Sequence, residues 1–209
     1  MVPFVTLNGI VYGLPTESES HEIVRLLGET FAKRDPPAVA VGLTPGEFEE
    51  FVALLCADAT TQGLTIIARS AETGELAGAL LAEDCSSALP AGMESLSDKF
   101  DPIFDILGRL ESGYCSNLGR TAGESVHLFL LGVSERYGGR GVGSQLVAQC
   151  TANATRKGYR LAVTEATNLT SQHIFRQAGF VERVRGSYQE HRFNGKAFFG
   201  PLRNMGALS

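Results

Sequence analysis

Apolar positions recur along this chain in two rhythms, one near the helical period and one alternating residue by residue. A short alternating run at Ile10, Val11 and Tyr12 predicts a strand, and a helical rhythm follows over 18–33. Asp35, Pro36 and Pro37 must leave that helix, because proline lacks the N–H and restricts the residue before it; they read as an extended turn between two helices. Thr44, Pro45 and Glu47 supply a cap, an early proline and an acid at the third position, so a second helix runs from there to about residue 58. The runs 64–69 and 75–83 read as a hairpin around Thr73 and Gly74. Segment 85–123 is the least regular, with a helix over 98–110 between loops rich in Ser, Gly and Pro.

The second half is easier to read. An apolar run opened by His127 ends at Val133, and a helix over 144–158 puts Leu146, Val147, Cys150 and Ala154 on one face. Lys157 and Gly158 suit the end of that helix. Residues 159–165 alternate as a strand. Two closing strands, 181–193 and 196–199, are expected to meet at Asn194 and Gly195, a hairpin signal.

Between the apolar run and the helix lie Gly138, Gly139, Gly141 and Gly143. Such a turn lets backbone N–H groups converge on an anion, and the positive end of the following helix points at the same place. This predicts a phosphate-bearing cofactor, held by Gly138, Gly139, Arg140, Gly141, Val142, Gly143 and Ser144, with Arg136 and Arg140 near the phosphates. The common nucleotide loops do not fit. Ser144 stands where a Walker A loop needs lysine, and it also replaces the third glycine of a dinucleotide fingerprint.

The run from Gly138 to Gly143 resembles the acetyl-CoA loop of the GNAT N-acetyltransferase superfamily, Arg/Gln-x-x-Gly-x-Gly/Ala, with Gly138 at the position usually held by Arg or Gln. Asn168, Ser171, Phe175, Gly179 and Phe180 resemble that superfamily's Asn-x-x-Ala-x-x-x-Tyr-x-x-x-Gly-Phe segment; Ser171 replaces the alanine and Phe175 the tyrosine that often serves as general acid. Phe31, Asp35, Pro36 and Pro37, followed by Gly42 and Thr44, are similar to the N-terminal signature of the insect-type arylalkylamine N-acetyltransferases.

The resemblance implies a single α/β domain over 1–209, with a mixed central β-sheet flanked by helices and a helical or loop insertion at 85–123 before the central strand. It implies acetyl-CoA as cofactor, its pantetheine arm pairing with the exposed backbone at Leu131, Gly132 and Val133, where the central strand splays from its parallel neighbour. Asn168 and Phe175 join the cofactor set on the same ground. Asp35 falls on the branch's acidic base position, one methylene shorter than the usual glutamate. Thr167 and Ser171 fall on a hydroxyl pair associated with catalysis. His127 stands where the vertebrate melatonin-pathway enzymes carry one of two strand histidines, and Phe129 stands where the other would be.

Composition agrees with one domain and a sizeable core. The formal net charge of −5 leaves no footprint for nucleic acid. Cys56, Cys85, Cys115 and Cys150 have no metal or redox spacing and read as reduced packing residues. No run approaches the roughly 18 apolar residues of a membrane span, and no leader is apparent, so a cytoplasmic monomer or homodimer without a metal is expected.

The expected activity is acetyl transfer from acetyl-CoA to a small primary amine by direct attack in a ternary complex. A polyamine, amino-acid or protein-amine acetyltransferase, and a non-catalytic acyl-CoA-binding regulatory domain, stand as alternatives. The candidate catalytic residues are Asp35, Ser171 and His127. Each has a plainer reading: Asp35 ends a helix, Ser171 caps one, and His127 is a structural strand residue. Tyr188, His173 and His191 read as strand, surface or hairpin residues.

Overall fold

The computed structural model describes residues 1–115 and 121–202, the side chains of 113–115 excepted. The Cys115 side chain and the C-terminal tail from Asn204 lie outside the described residues, as does part of the 85–123 insertion.

Six strands form one sheet in sequence order: β1 (Val2–Leu7), β2 (Ile10–Leu14), β3 (Ile66–Ser70), β4 (Leu76–Asp84), β5 (Ser125–Val133) and β6 (Leu161–Val163). All neighbours are antiparallel except β5 and β6, which are parallel and joined by a helical crossover. The helices are α1 (Ser20–Arg34), α2 (Pro36–Val41), α3 (Pro45–Ala59), α4 (Asp101–Cys115), α5 (Val142–Arg156) and α6 (Leu169–Gln177).

Alternation along the strands sorts the core into two layers. Ile67, Ala79, Leu81 and Leu130 meet α1, α3 and α4 on one face of the sheet. Ile66, Ala68, Leu80 and Leu128 meet α5 and α6 on the other. The expected face of α5 is buried in full: Leu146, Val147, Cys150 and Ala154 are all closed to solvent.

Three features position the site. First, β4 and β5 pair along their whole length, but a bulge gives β5 an extra residue at Phe129, between the Leu81–Leu130 and Ala82–Leu128 pairs. Second, β6 pairs with β5 only from Ser125 to His127, so the sheet splits beyond His127. Third, α1 lies directly on β5 at Gly132, where a Cβ would come within 2.5 Å of Leu27 Cδ2.

Several expectations are corrected. A first strand, β1, pairs with β2 through a turn in which Asn8 and Gly9 both have positive φ. The two prolines do not hold an extended turn. They begin the short helix α2, where proline's fixed φ and missing N–H cost nothing. The closing strands 181–193 and 196–199 do not form. The Asn194–Gly195 turn is present, with both residues at positive φ, but only Phe193 and Lys196 bridge across it. That segment is tied down by side chains instead: Tyr188 and Phe199 are buried against the α1–α3 layer.

Candidate active site

The glycine turn follows β5 through a 3-10 turn, Glu135–Tyr137, pinned by Glu75, whose carboxylate accepts from Arg136 and from the Tyr137 hydroxyl at 2.8 and 3.0 Å. Arg136 is thus tied to the β3–β4 turn, while Arg140 lies over the Tyr137 ring at 5.8 Å. Gly139 and Gly141 have φ of +70° and +77°, the left-handed region that side chains resist. Gly141 is the N-cap of α5 and offers no side chain to its first amides. The starts of α3 and α6 are different: Thr44 with Glu47, and Asn168 with Ser171, close reciprocal capping boxes. The amides of Val142, Gly143 and Ser144 therefore face outward with no side-chain cap, as an anion-binding helix start requires. A Cβ on Gly143 would sit 3.2 Å from Ile174 Cδ1, so α5 and α6 are close here.

From this loop a cavity of about 1200 Å³ runs along the splayed edge of β5. Leu131, Val133, Gly143, Asn168, Ser171 and Phe175 line it. Away from the loop it is aromatic. Phe31 stacks on Phe48 at 5.0 Å, and Phe51 contacts Phe100, Phe104 and Phe129 at 5.0 to 6.0 Å between ring centres. Among the described residues seven carboxylates line the cavity against one arginine, Arg34, and one histidine, His127.

Asp35 is 8% exposed and lines this cavity. It caps α2, with one oxygen accepting from Ala38 N at 3.3 Å; the other accepts from the Thr167 hydroxyl at 2.5 Å. Burial pushes its carboxyl up to about 6 against these two hydrogen bonds. The backbone oxygen of Thr167 in turn accepts from Tyr188 Oη at 2.6 Å, so the C-terminal segment braces the residue that holds the carboxylate. Tyr188 is buried, and burial together with the neighbouring Asp35 charge pushes its hydroxyl far above the usual range. Nothing in the sequence pattern marked Tyr188 for this role; the missing signal is a contact across 21 residues. Arg34, also unmarked, reaches across to the backbone oxygen of Val133.

His127 Nε2 lies 2.7 Å from Glu165 Oε2. Burial disfavours the charged ring, but Glu165 and the nearby Glu83 outweigh it and raise the pKa. Ser171 is not the helix cap; Asn168 is, accepting from Ser171 N at 2.9 Å. The Ser171 hydroxyl donates to Asn168 O at 2.9 Å and accepts from Asn168 N at 3.3 Å. Phe175 is buried edge-on against Phe180 at 5.1 Å and offers no hydroxyl where the resemblance expected one. The structure brings Asp35, Thr167, Ser171 and His127 to one cavity, and leaves His173 exposed and His191 bonded to Asp105 outside it.

No curated protein matches this chain. Among solved structures it is similar to the C-terminal condensation domain of Ebony in complex with β-alanyl-dopamine (TM-score 0.86, 14% identity, 95% of this chain and 96% of that one). It is similar to arylalkylamine N-acetyltransferase 2 of Aedes aegypti (0.81, 21%, 96% of each). It is also similar to the Drosophila melanogaster polyamine N-acetyltransferase that forms N-acetylagmatine (0.74, 17%, 95% and 96%). At these identities the likeness establishes the fold. The model of the acetyltransferase (GNAT) family matches residues 43–180, well over half of the chain, and the chain belongs to that family of acetyl-CoA-dependent acyltransferases.

Proposed function

We propose that this protein acetylates a small primary amine bearing an aryl group, by direct attack in a ternary complex with acetyl-CoA. The observation that carries the reading is Asp35: a buried carboxyl, raised to about 6, on the wall shared by the splayed β5 edge and the phenylalanine-lined lobe. Acetyl-CoA supplies the acetyl group as a thioester, whose C–S bond breaks as the N–C bond forms. The uncapped amides at Val142, Gly143 and Ser144, with the loop glycines before them, would hold the pyrophosphate, Arg140 lying alongside. The β5 edge at Leu131, Gly132 and Val133 would take the pantetheine arm.

The acceptor enters as an ammonium ion, which the acidic cavity favours and the phenylalanine rings hold by its apolar part. Asp35 is ionised at neutral pH yet basic enough to take the ammonium proton, directly or through water. Thr167 and the Ala38 amide fix the carboxylate's direction. Amides near Leu131 and Val133 stabilise the oxyanion. His127 already engages Glu165 through Nε2, so the base role falls to Asp35. The Ser171 hydroxyl faces the cavity and can supply a hydrogen bond to the departing sulfur only by turning away from Asn168 O.

The acidic lining also favours a second reading, a di- or polyamine acceptor. A panel of aryl-alkylamines, diamines and amino acids assayed with acetyl-CoA tests both. Thioester cleavage that depends on an aryl-alkylamine supports the first reading, and strict preference for a diamine supports the second. Coenzyme A binding without any amine-dependent turnover overturns both.

A further inference from the structure

One wall of the cavity is α4, which brings Phe104, Leu107 and Gly108 to it. Phe104 stands 5.5 Å from Phe51 and stacks on Phe100 at 5.4 Å, so α4 carries part of the phenylalanine lobe. Apolar contacts of this kind hold a helix against a core, but they are not directional and leave its slide and rotation loosely set. A hydrogen bond fixes direction. The C-terminal segment gives α4 such a bond: His191 Nε2 lies 2.7 Å from Asp105 Oδ2. Asp105 follows Phe104 directly but does not line the cavity. Arg109, one turn further along α4, pairs with the same carboxylate at 3.0 Å.

The far end of this link is firmly seated. His191 is 5% exposed, and its ring tilts against Phe199 at 5.3 Å. Phe199 in turn meets Tyr188 at 5.6 Å, and the His191 amide donates to Ser187 O at 3.2 Å. Tyr188 is the residue that donates to Thr167 O, and the Thr167 hydroxyl holds Asp35. The short run from Tyr188 to His191 therefore grips two things at once: the neighbour of the proposed base, with a tyrosine, and the helix that walls the lobe, with a histidine. His191 Nδ1 is buried without a hydrogen-bond partner, a cost that an apolar residue would not carry. The bond to Asp105 offsets it.

We propose that His191 is a positioning residue for the acceptor: through Asp105 it sets α4, and with it the phenylalanine lobe, at a fixed place relative to Asp35. The inference rests on the reading of that lobe as the seat of an aryl group. His191 does not line the cavity and so touches neither amine nor cofactor. It decides whether a ring resting on Phe104 leaves its ammonium within reach of the Asp35 carboxylate. A misplacement of about 1 Å is enough to cost about 10²-fold in rate. An amine without a ring escapes the constraint, since nothing ties it to α4.

The test compares phenethylamine with ethylamine, which carry the same ammonium and differ by the phenyl ring. His191→Phe keeps a ring against Phe199 and removes the bond; Asp105→Leu removes it from the other side. Each should lower kcat/KM for phenethylamine at least about tenfold and leave that for ethylamine within about twofold, with coenzyme A affinity reporting that the variant is folded. The double variant should do no worse than either single one, because both remove the same link. Equal losses for the two amines, or losses that add in the double variant, overturn the positioning role. Unchanged phenethylamine turnover in both single variants overturns it too and leaves the proposed function standing. If the unaltered protein binds coenzyme A yet does not turn over phenethylamine, the aryl-amine reading and the inference fall together.

Discussion

Replacing Asp35 by asparagine keeps its shape and removes its charge, and the two consequences run in opposite directions. Turnover should fall about 10²- to 10⁴-fold, the range for a positioned acid–base group, and higher pH should recover part of it because more amine arrives neutral. Stability should rise. A carboxyl raised from 3.8 to about 6 binds its proton more tightly folded than unfolded. Its contribution is therefore favourable below the unfolded value and is lost as pH climbs through the folded one. Two units correspond to about 3 kcal/mol. The Asp35→Asn variant should thus melt higher than the parent at pH 8 and match it near pH 3.5. Equal melting temperatures at pH 8 would show that the carboxyl is not held at a raised value, and unchanged turnover at neutral pH would leave Asp35 a helix terminator. The unaltered protein's kcat/KM should itself rise through about pH 6 as Asp35 ionises, a limb that Asp35→Asn removes.

At the scale of elements, two helix starts that look alike on paper serve different ends. Thr44 and Glu47 close a capping box on α3, so Thr44→Ala should cost about 1 kcal/mol in denaturant unfolding and leave coenzyme A affinity alone. Gly141 caps α5 with no side chain at all. Gly141→Glu puts a side chain at positive φ and a negative charge at an anion site, and should weaken coenzyme A binding at least tenfold by calorimetry while the chain still folds; an unchanged affinity would overturn the loop assignment.

The glycine loop, the α3 cap and the buried face of α5 were legible in the sequence because each is a local pattern of residue types at fixed spacing. The β3–β4 hairpin was legible for the same reason. The C-terminal strands were misread because 181–199 carries enough apolar and aromatic residues to alternate, but they serve as anchors: Tyr188 and Phe199 bury themselves singly and leave no ladder to form. The first strand was missed because its burial is slight, so its period carries little contrast. The candidate site was legible where a motif carried it, as at Asp35 and Ser171. The links that give those residues their state, Thr167 to Asp35 and Glu165 to His127, join segments 132 and 38 residues apart, and no spacing rule reaches that far.

For the whole molecule, direct attack requires that no side chain carry the acetyl group. The thiols agree. Cys150 is buried and pushed up to about 12, and burial also raises Cys56, so neither supplies a thiolate near neutrality. Cys85 lines the cavity and is the sharper control. Cys85→Ser should keep kcat within a few-fold, and initial-rate patterns should intersect. Parallel patterns, or an acetylated cysteine found by mass spectrometry, would replace the ternary complex with a two-stage exchange.

The span that matches the family begins at residue 43 and ends at 180. Asp35 lies before it and Tyr188 after it, yet the two are joined through Thr167. The segments on either side of the matched span thus meet at Thr167, beside the proposed base. A graft of 1–42 without 181–202 is accordingly expected to carry Asp35 into a relative and leave Thr167 without the brace that Tyr188 gives it.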